Sequence, residues 1–314
     1  EKDSTTYRIF VQGGSSAAGY PLYYGGSFSR MLEQRLLQTF PGKNIEVVNT
    51  AMAAVNSYTL LDLAGEIIEQ EPDLVLIYAG HNEYYGSLGV GSAESLGRFV
   101  GIVNLYLKLQ DLRVVQALQR LLSAGASLFA GEGDTVAPGS TLMSRMVEEQ
   151  EIPYGSPLYN LGIRQFDKNM SALLKAYREA GIPVLISTLA SNEKDQPPFI
   201  SPTPAPSSPI TNDLRVAASA LQSGDAARAR DVLGTYVGTD TLNARAYFAL
   251  GRLLSDAGDK EAAARAFVAA KDRDLLRFRA PEAINATIRE LAAKYDATVV
   301  DAQAAMRAYT EDGI

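Results

Sequence analysis

Three short segments hold the side chains and amides best placed to do chemistry. They are Gly13-Gly14-Ser15-Ser16, Asn49-Thr50-Ala51-Met52-Ala53-Ala54 and Gly80-His81-Asn82-Glu83. Each sets small residues around a polar one, so backbone amides and one short side chain can face a common point. Donors grouped in that way stabilise an oxygen on which negative charge develops. A serine among them is a candidate nucleophile, but its hydroxyl needs a base. The chain has one histidine, His81, and no cysteine. That excludes a cysteine nucleophile, disulfides, thiolate metal sites and any multi-histidine metal centre. Neighbours at a strand end point in different directions. His81 is therefore expected at the rim beside Asn82, not as the base for Ser15. No metal or organic cofactor is called for.

Such segments work only if the fold brings them together. Tyr7-Arg8-Ile9-Phe10-Val11, Ile45-Glu46-Val47-Val48-Asn49 and Leu74-Val75-Leu76-Ile77-Tyr78 read as strands, each just ahead of one segment. Amphipathic helices separate them: Ser27 to Phe40, with Ser27 as cap and Met31, Leu32, Leu36, Leu37 and Phe40 on one face, and Tyr58 to Glu69. Continuous apolar strands alternating with helices predict a doubly wound parallel sheet covered on both faces, an α/β three-layer fold. Ligands bind at the carboxyl edge of such a sheet, where all three segments fall. Leu158 to Ala180 continues the rhythm as a helix, and Val184-Leu185-Ile186-Ser187-Thr188 as a strand. Residues 92–130 read as a lid-like apolar helical segment, with an interfacial surface that meets lipid or an acyl chain as the sharper reading. Gly131 to Ser140 reads as a loop.

The pattern changes after Pro197 to Pro209, a stretch with six prolines. Residues 213–273 are rich in alanine and arginine, and they repeat. Gly224-Asp225 recurs as Gly258-Asp259 34 residues later; Ala229 matches Ala263, and Leu233 matches Phe267. Small residues where two helices touch and large ones in the groove make an all-α insert of tetratricopeptide type. Two units are too few to stand alone, so the insert must lean on the α/β domain. Pro281 to Lys294 and Thr298-Val299-Val300-Asp301 then return to it. The expected organisation is 1–210 α/β domain, 211–275 helical insert and 276–314 return to the α/β domain.

The order of the three segments resembles the SGNH, or GDSL-like, hydrolase family, and more narrowly its bacterial members with inserted tetratricopeptide repeats. Gly13-Gly14-Ser15 stands where the family has Gly-Asp-Ser, and Gly80-His81-Asn82-Glu83 where it has Gly-x-Asn-Asp. Tyr78 to Gly86, Ser191 to Phe199 and Leu276 to Pro281 also look like segments of that group. The resemblance implies an SGNH fold, with Ser15 as nucleophile and an oxyanion held by Ala54 and Asn82. Gly14 replaces the usual acidic residue and Ala54 the usual glycine. It also implies an Asp-x-x-His that supplies the base. Asp301 is followed three residues on by Ala304, so that motif is expected just beyond Ile314, and residues 1–314 alone are expected to be inactive or nearly so.

Around this centre, Gly14, Asn49, His81, Asn192, Asp195, Arg277 and Arg279 are candidate substrate-binding residues, the two arginines for an anionic group. Glu83 and Asp73 are expected to be solvated or capping. The implied function is hydrolysis or transfer of an acyl or acetyl ester, with envelope glycan or lipid as the expected carrier. The alternative is a scaffold on a degenerate esterase domain, with the repeats holding a protein partner. Net charge is −7 with a pI near 5.0, which disfavours nucleic acid as a partner. An exported bacterial protein is expected, extracytoplasmic and once tethered to the membrane by a removed N-terminal anchor.

Overall fold

The computed structural model describes residues 2–22, 24–87, 89–91, 151–202, 209–239 and 242–310. The apolar segment 92–130 and the loop 131–140 lie outside them. Five strands form one parallel sheet in the order β2-β1-β3-β4-β5. They are β1 (Thr6–Gly13), β2 (Asn44–Asn49), β3 (Leu74–Tyr78), β4 (Val184–Ser187) and β5 (Thr298–Val300). This is the flavodoxin-like doubly wound order, with its switch point between β1 and β3. β1 is central: Val11 pairs with Asn49 on one side and Gly13 with Tyr78 on the other. The carboxyl ends of all three strands therefore meet at one edge.

Helices come from local signals. Ser27 caps α2 (Phe28–Thr39) by accepting from the Arg30 amide. Asn56 caps α3 (Ser57–Asp62), and a break at Leu63 separates it from α4 (Ala64–Glu69), where one helix was expected. Ser156 caps the long α5 (Pro157–Glu179), with proline at its first position. On one face of the sheet, Phe10, Val75, Ile77, Val184 and Ile186 pack against α3, α4, α5 and a later helix, through Leu60, Ile67, Phe166, Met170, Leu173, Ile284 and Ile288.

The other face is less covered among the described residues. Burial alternates along β3 and β4, leaving Leu74, Leu76 and Leu185 only half-buried. They line a groove of about 720 Å³ with Ile9, Leu32, Leu36 and Phe40. Met31, Leu37 and Phe40 of α2 are exposed. Among the described residues α2 packs mainly on β2, with Phe28 reaching the Tyr78 ring at the end of β3.

The insert is four helices: α6 (Pro209–Gln222), α7 (Ala226–Thr239), α8 (Ala244–Asp256) and α9 (Lys260–Arg273). The repeated Gly-Asp pairs have one structural job. Gly224 and Gly258 take the left-handed conformation that ends a helix. Asp225 and Asp259 accept from the Arg228 and Ala262 amides to start the next. Ala229, Ala263, Leu233 and Phe267 are all buried, and a Cβ on Gly251 would fall 2.9 Å from the Phe267 ring. The insert does lean on the α/β domain: the buried Lys271 ammonium binds Glu193 at 2.7 Å, and the Asp274 carboxylate accepts from the Phe199 and Ile200 amides. The chain then forms α10 (Glu282–Tyr295), β5 and α11 (Ala302–Tyr309). Among the described residues no helix is long and apolar enough to cross a membrane.

The contact of Gly251 with Phe267 gives a direct test of the insert's packing. Phe267→Ala is expected to destabilise the protein by about 3–5 kcal/mol, the usual range for a fully buried phenylalanine. Denaturant unfolding measures it; a loss under about 1 kcal/mol would mean the helix pair does not pack as described.

Candidate active site

Gly13 ends β1 against β3. A Cβ there would sit 2.3 Å from the Tyr78 carbonyl oxygen and 2.5 Å from the Ala17 methyl. Only glycine permits this approach, and the chain turns at once through Gly14 into the single-turn helix α1 (Ser15–Ala18). Ser15 opens that turn, half-buried, while Ser16 is exposed. The Asn82 side chain lies directly alongside, its Nδ2 3.1 Å from where a Gly14 Cβ would stand. Ser15, Gly14 and Asn82 line one small cleft with Val55, Tyr78, Ala79, Gly80 and His81. Its free volume is about 10 Å³, room for one water-sized group.

The second segment reaches the same place along β1. The amides of Thr50 and Met52 donate to the carbonyls of Val11 and Gly13. Asn49, a candidate for substrate binding, is used up as a brace. Its Nδ2 donates to the Ala17 carbonyl and the Ser29 hydroxyl, and its Oδ1 accepts from the Ala51 amide. Ala54 then takes φ 61°, a left-handed conformation that costs an alanine about 1 kcal/mol or more. Ala54 thus adopts a conformation glycine would take without strain, and its carbonyl accepts from the Ser87 amide at 3.1 Å.

His81 lines the cleft wall, but its ring is committed elsewhere. Nδ1 accepts from the Ala280 amide at 3.2 Å, and the ring also bonds the Ala190 backbone. Burial pushes it down to about 4, with the Lys271 charge adding to the effect. It stays neutral near pH 7, and with Nδ1 occupied it has no free lone pair to take a proton from Ser15. Tyr78 packs edge-on to it, with ring centroids 6.2 Å apart.

Four other candidates lie away from this cleft. Arg277 is fully buried, its Nε and Nη2 donating to the Ile152 carbonyl and its Nη1 to that of Asp272, with the guanidinium over the Tyr159 ring. It ties three segments together and is buried away from the cleft. Arg279 likewise donates to the carbonyls of Asn192 and Gln196 and pairs with Asp274. Asn192 accepts from the Asp195 amide in an exposed turn. Asp195 lines a recess against the insert with Arg252 and Phe267. The carboxyl end of β4 does lead to this turn, but the turn folds towards the insert.

Glu83, expected to be solvated or capping, is wholly buried, and it does accept from the amide that opens α3. Its carboxylate accepts from the Ser57 amide at 3.1 Å, the Ser57 hydroxyl at 2.7 Å and Gln165 Nε2 at 2.6 Å. Asn169 Nδ2 supports the Ser57 hydroxyl at 2.9 Å. Burial pushes Glu83 up to about 7 despite these bonds. Asp73, also expected to be solvated or capping, pins the start of β1 by accepting from the Arg8 amide and Lys2. Among the described residues no group of three His, Cys, Asp or Glu side chains is placed to hold a metal.

No family model and no curated protein matches the chain. Solved structures do. AlinE4, an SGNH-hydrolase family esterase, aligns over 100% of this chain and 85% of its own at 13% identity, with a TM-score of 0.42. The psychrotrophic esterase EstA from Pseudoalteromonas sp. aligns over 98% and 86% at 11% identity, TM-score 0.37. A lipase/acylhydrolase from Enterococcus faecalis aligns over 98% and 85% at 13% identity, TM-score 0.38. With every one of these TM-scores below 0.5, the chain's function has to be argued from its own site.

Two measurements probe this geometry. Ala54→Gly is expected to be neutral or to stabilise by up to about 1 kcal/mol, because strain relief offsets the added freedom of the unfolded chain, whereas Ala54→Val destabilises. A loss of more than about 1 kcal/mol in the glycine variant would refute the left-handed assignment. His81 is held below its ordinary value of 6.5, so its stabilising contribution is complete above that value and fades as pH falls towards 4. Urea unfolding at about pH 7.5 and about pH 5 should show a smaller acid loss in His81→Gln than in the native chain. Equal losses would contradict the buried, neutral imidazole.

Proposed function

We propose that the chain carries the nucleophile and oxyanion half of an SGNH-type serine esterase or acyl transferase. Ser15 Oγ attacks the acyl carbon of an ester. Its proton passes to a base, the tetrahedral oxyanion collapses, and the C–O bond to the alcohol breaks as the base returns the proton to the leaving oxygen. Water, or a second alcohol in a transferase, then releases the acyl group from Ser15 by the same route. The amides of Ser15 and Ala54 and the Asn82 side chain hold the oxyanion. The observation that carries this reading is the juxtaposition of the Asn82 amide with the Gly14-Ser15 backbone in one cleft. In this reading the base comes from outside residues 1–314, since His81 is committed to Ala280. The helical insert is read as a pair of tetratricopeptide units for a protein partner. An exported envelope protein acting on envelope esters completes the proposal on the sequence resemblance.

A second reading, a non-catalytic scaffold, is favoured by one observation: the chain's sole histidine is unavailable to Ser15. Hydrolysis of a short-chain aryl ester by the full-length gene product separates the two. The esterase reading expects turnover that Ser15→Ala abolishes and that Asn82→Ala lowers about 100- to 1000-fold in kcat. Absence of Ser15-dependent turnover would leave the scaffold.

A further inference from the structure

We propose that Glu83 is a positioning residue whose carboxylate sets the spacing between the two outlying oxyanion donors, the Ala54 amide and the Asn82 side chain. Its consequence for catalysis rests on the esterase reading; its structural part does not.

Glu83 follows Asn82 directly, and the residue it grips, Ser57, lies three positions after Ala54. The bonds from the Ser57 amide and hydroxyl to Glu83 lace one side of the donor pair. The bond from the Ser87 amide to the Ala54 carbonyl laces the other. Between them the loops are in contact. A Cβ on Gly86 would fall 2.7 Å from the Asn82 carbonyl oxygen, 2.9 Å from the Asn56 Cβ and 3.2 Å from the Ala54 carbonyl oxygen. Gln165 fixes the same carboxylate to α5, so both loops are referred to a rigid core helix.

The chemistry of the group is matched to that task. A carboxylate only accepts, and here it meets three donors. No cation pairs with it among the described residues. Closing a loop with an uncompensated buried charge is expensive, and a neutral side chain would close it more cheaply. Among the described residues, few groups face Glu83. α3 presents Ser57 and Tyr58, α5 presents Gln165 and Asn169, and its own loop presents Tyr84, while the His81 ring is turned to Ala280 and Ala190. Both tyrosines are raised by burial and stay neutral. Glu83 is therefore the one group of this cluster that changes charge near neutrality. When it takes a proton, one acceptor becomes a donor facing N–H groups, and the lacing slackens. The tight form is the ionised one, present above about pH 7 and lost below it.

Amide hydrogen exchange across neutral pH, normalised for intrinsic rates, tests this without any assay of activity. In the native chain, protection of the Ser57 and Ser87 amides should drop about tenfold as pH falls through the Glu83 transition, while β1 and β3 amides stay protected. In Glu83→Gln the same amides should be weakly protected at every pH. Ser57→Ala removes one bond that holds the carboxylate ionised, so the Ser87 transition should move to higher pH. A purely structural residue would give no such shift. Flat protection in the native chain, or an unmoved midpoint in Ser57→Ala, overturns the proposal even where Glu83→Gln fails to fold. In the full-length gene product, Glu83→Gln should lower kcat about tenfold with KM little changed, and Glu83→Asp should restore part of it. Failure of all Ser15-dependent turnover would sink the esterase reading, while the exchange result still decides the role of Glu83.

Discussion

Between β1 and β3 at Gly13 there is room for a hydrogen atom and no more. The Tyr78 carbonyl stands 2.3 Å from where any Cβ would project. That closeness ends β1 beside the end of β3, so the turn into Ser15 and the turn into Asn82 share one edge. A doubly wound sheet of order 2-1-3-4-5 puts its switch point between these strands. The second segment is drawn in by hydrogen bonds from Thr50 and Met52 to the outgoing β1 backbone. The cleft is thus a consequence of strand packing first and of side-chain choice second.

This explains what could be read from the sequence. Strand ends are marked locally: apolar runs stop, small residues follow, and the polar groups among them must gather at the carboxyl edge. The Gly-Asp pairs of the insert were legible for a similar reason, because a left-handed glycine and a capping aspartate are local devices. What was not legible depends on partners distant in sequence. Arg277 and Arg279 flank Phe278 and look like an anion site, but their donors end on carbonyls of Ile152, Asn192 and Gln196. Asn192 and Asp195 follow β4 as expected, yet their turn folds towards the insert. Glu83 looked like a surface acid because its partners, Ser57 and Gln165, lie 26 and 82 residues away.

The loop after β3 gathers several departures from ordinary packing. His81 is held neutral by burial, and two residues later Glu83 is a buried carboxyl with no counter-charge among the described residues. Across from them Ala54 occupies backbone space that suits glycine. Close by, Asn56 Nδ2, Tyr58 OH and Gln165 Oε1 are buried with no hydrogen-bond partner among the described residues. Each of these lowers stability, and none is needed to close a hydrophobic core. Folds concentrate such exceptions where geometry matters more than stability. The insert, by contrast, follows the rules of helix capping and small-to-large packing throughout.

The two titrating groups of this loop also oppose one another. Between about 4 and 6.5 the unfolded chain binds the His81 proton that the native chain refuses, so stability rises with pH there. Glu83 does the reverse: its burial favours the protonated form, so its contribution is fullest at acid pH and is lost as pH rises through about 7. Near neutrality the native loop therefore carries a neutral imidazole and a carboxyl near the midpoint of its titration. The state that laces Ala54 to Asn82 is then the less stable of the two for the fold as a whole. A site whose aligned form is the strained one is held in place only by the surrounding core, here α5 through Gln165 and Asn169. That is why the buried polar face of α5, and not the cleft wall, determines how Ala54 lies against Asn82.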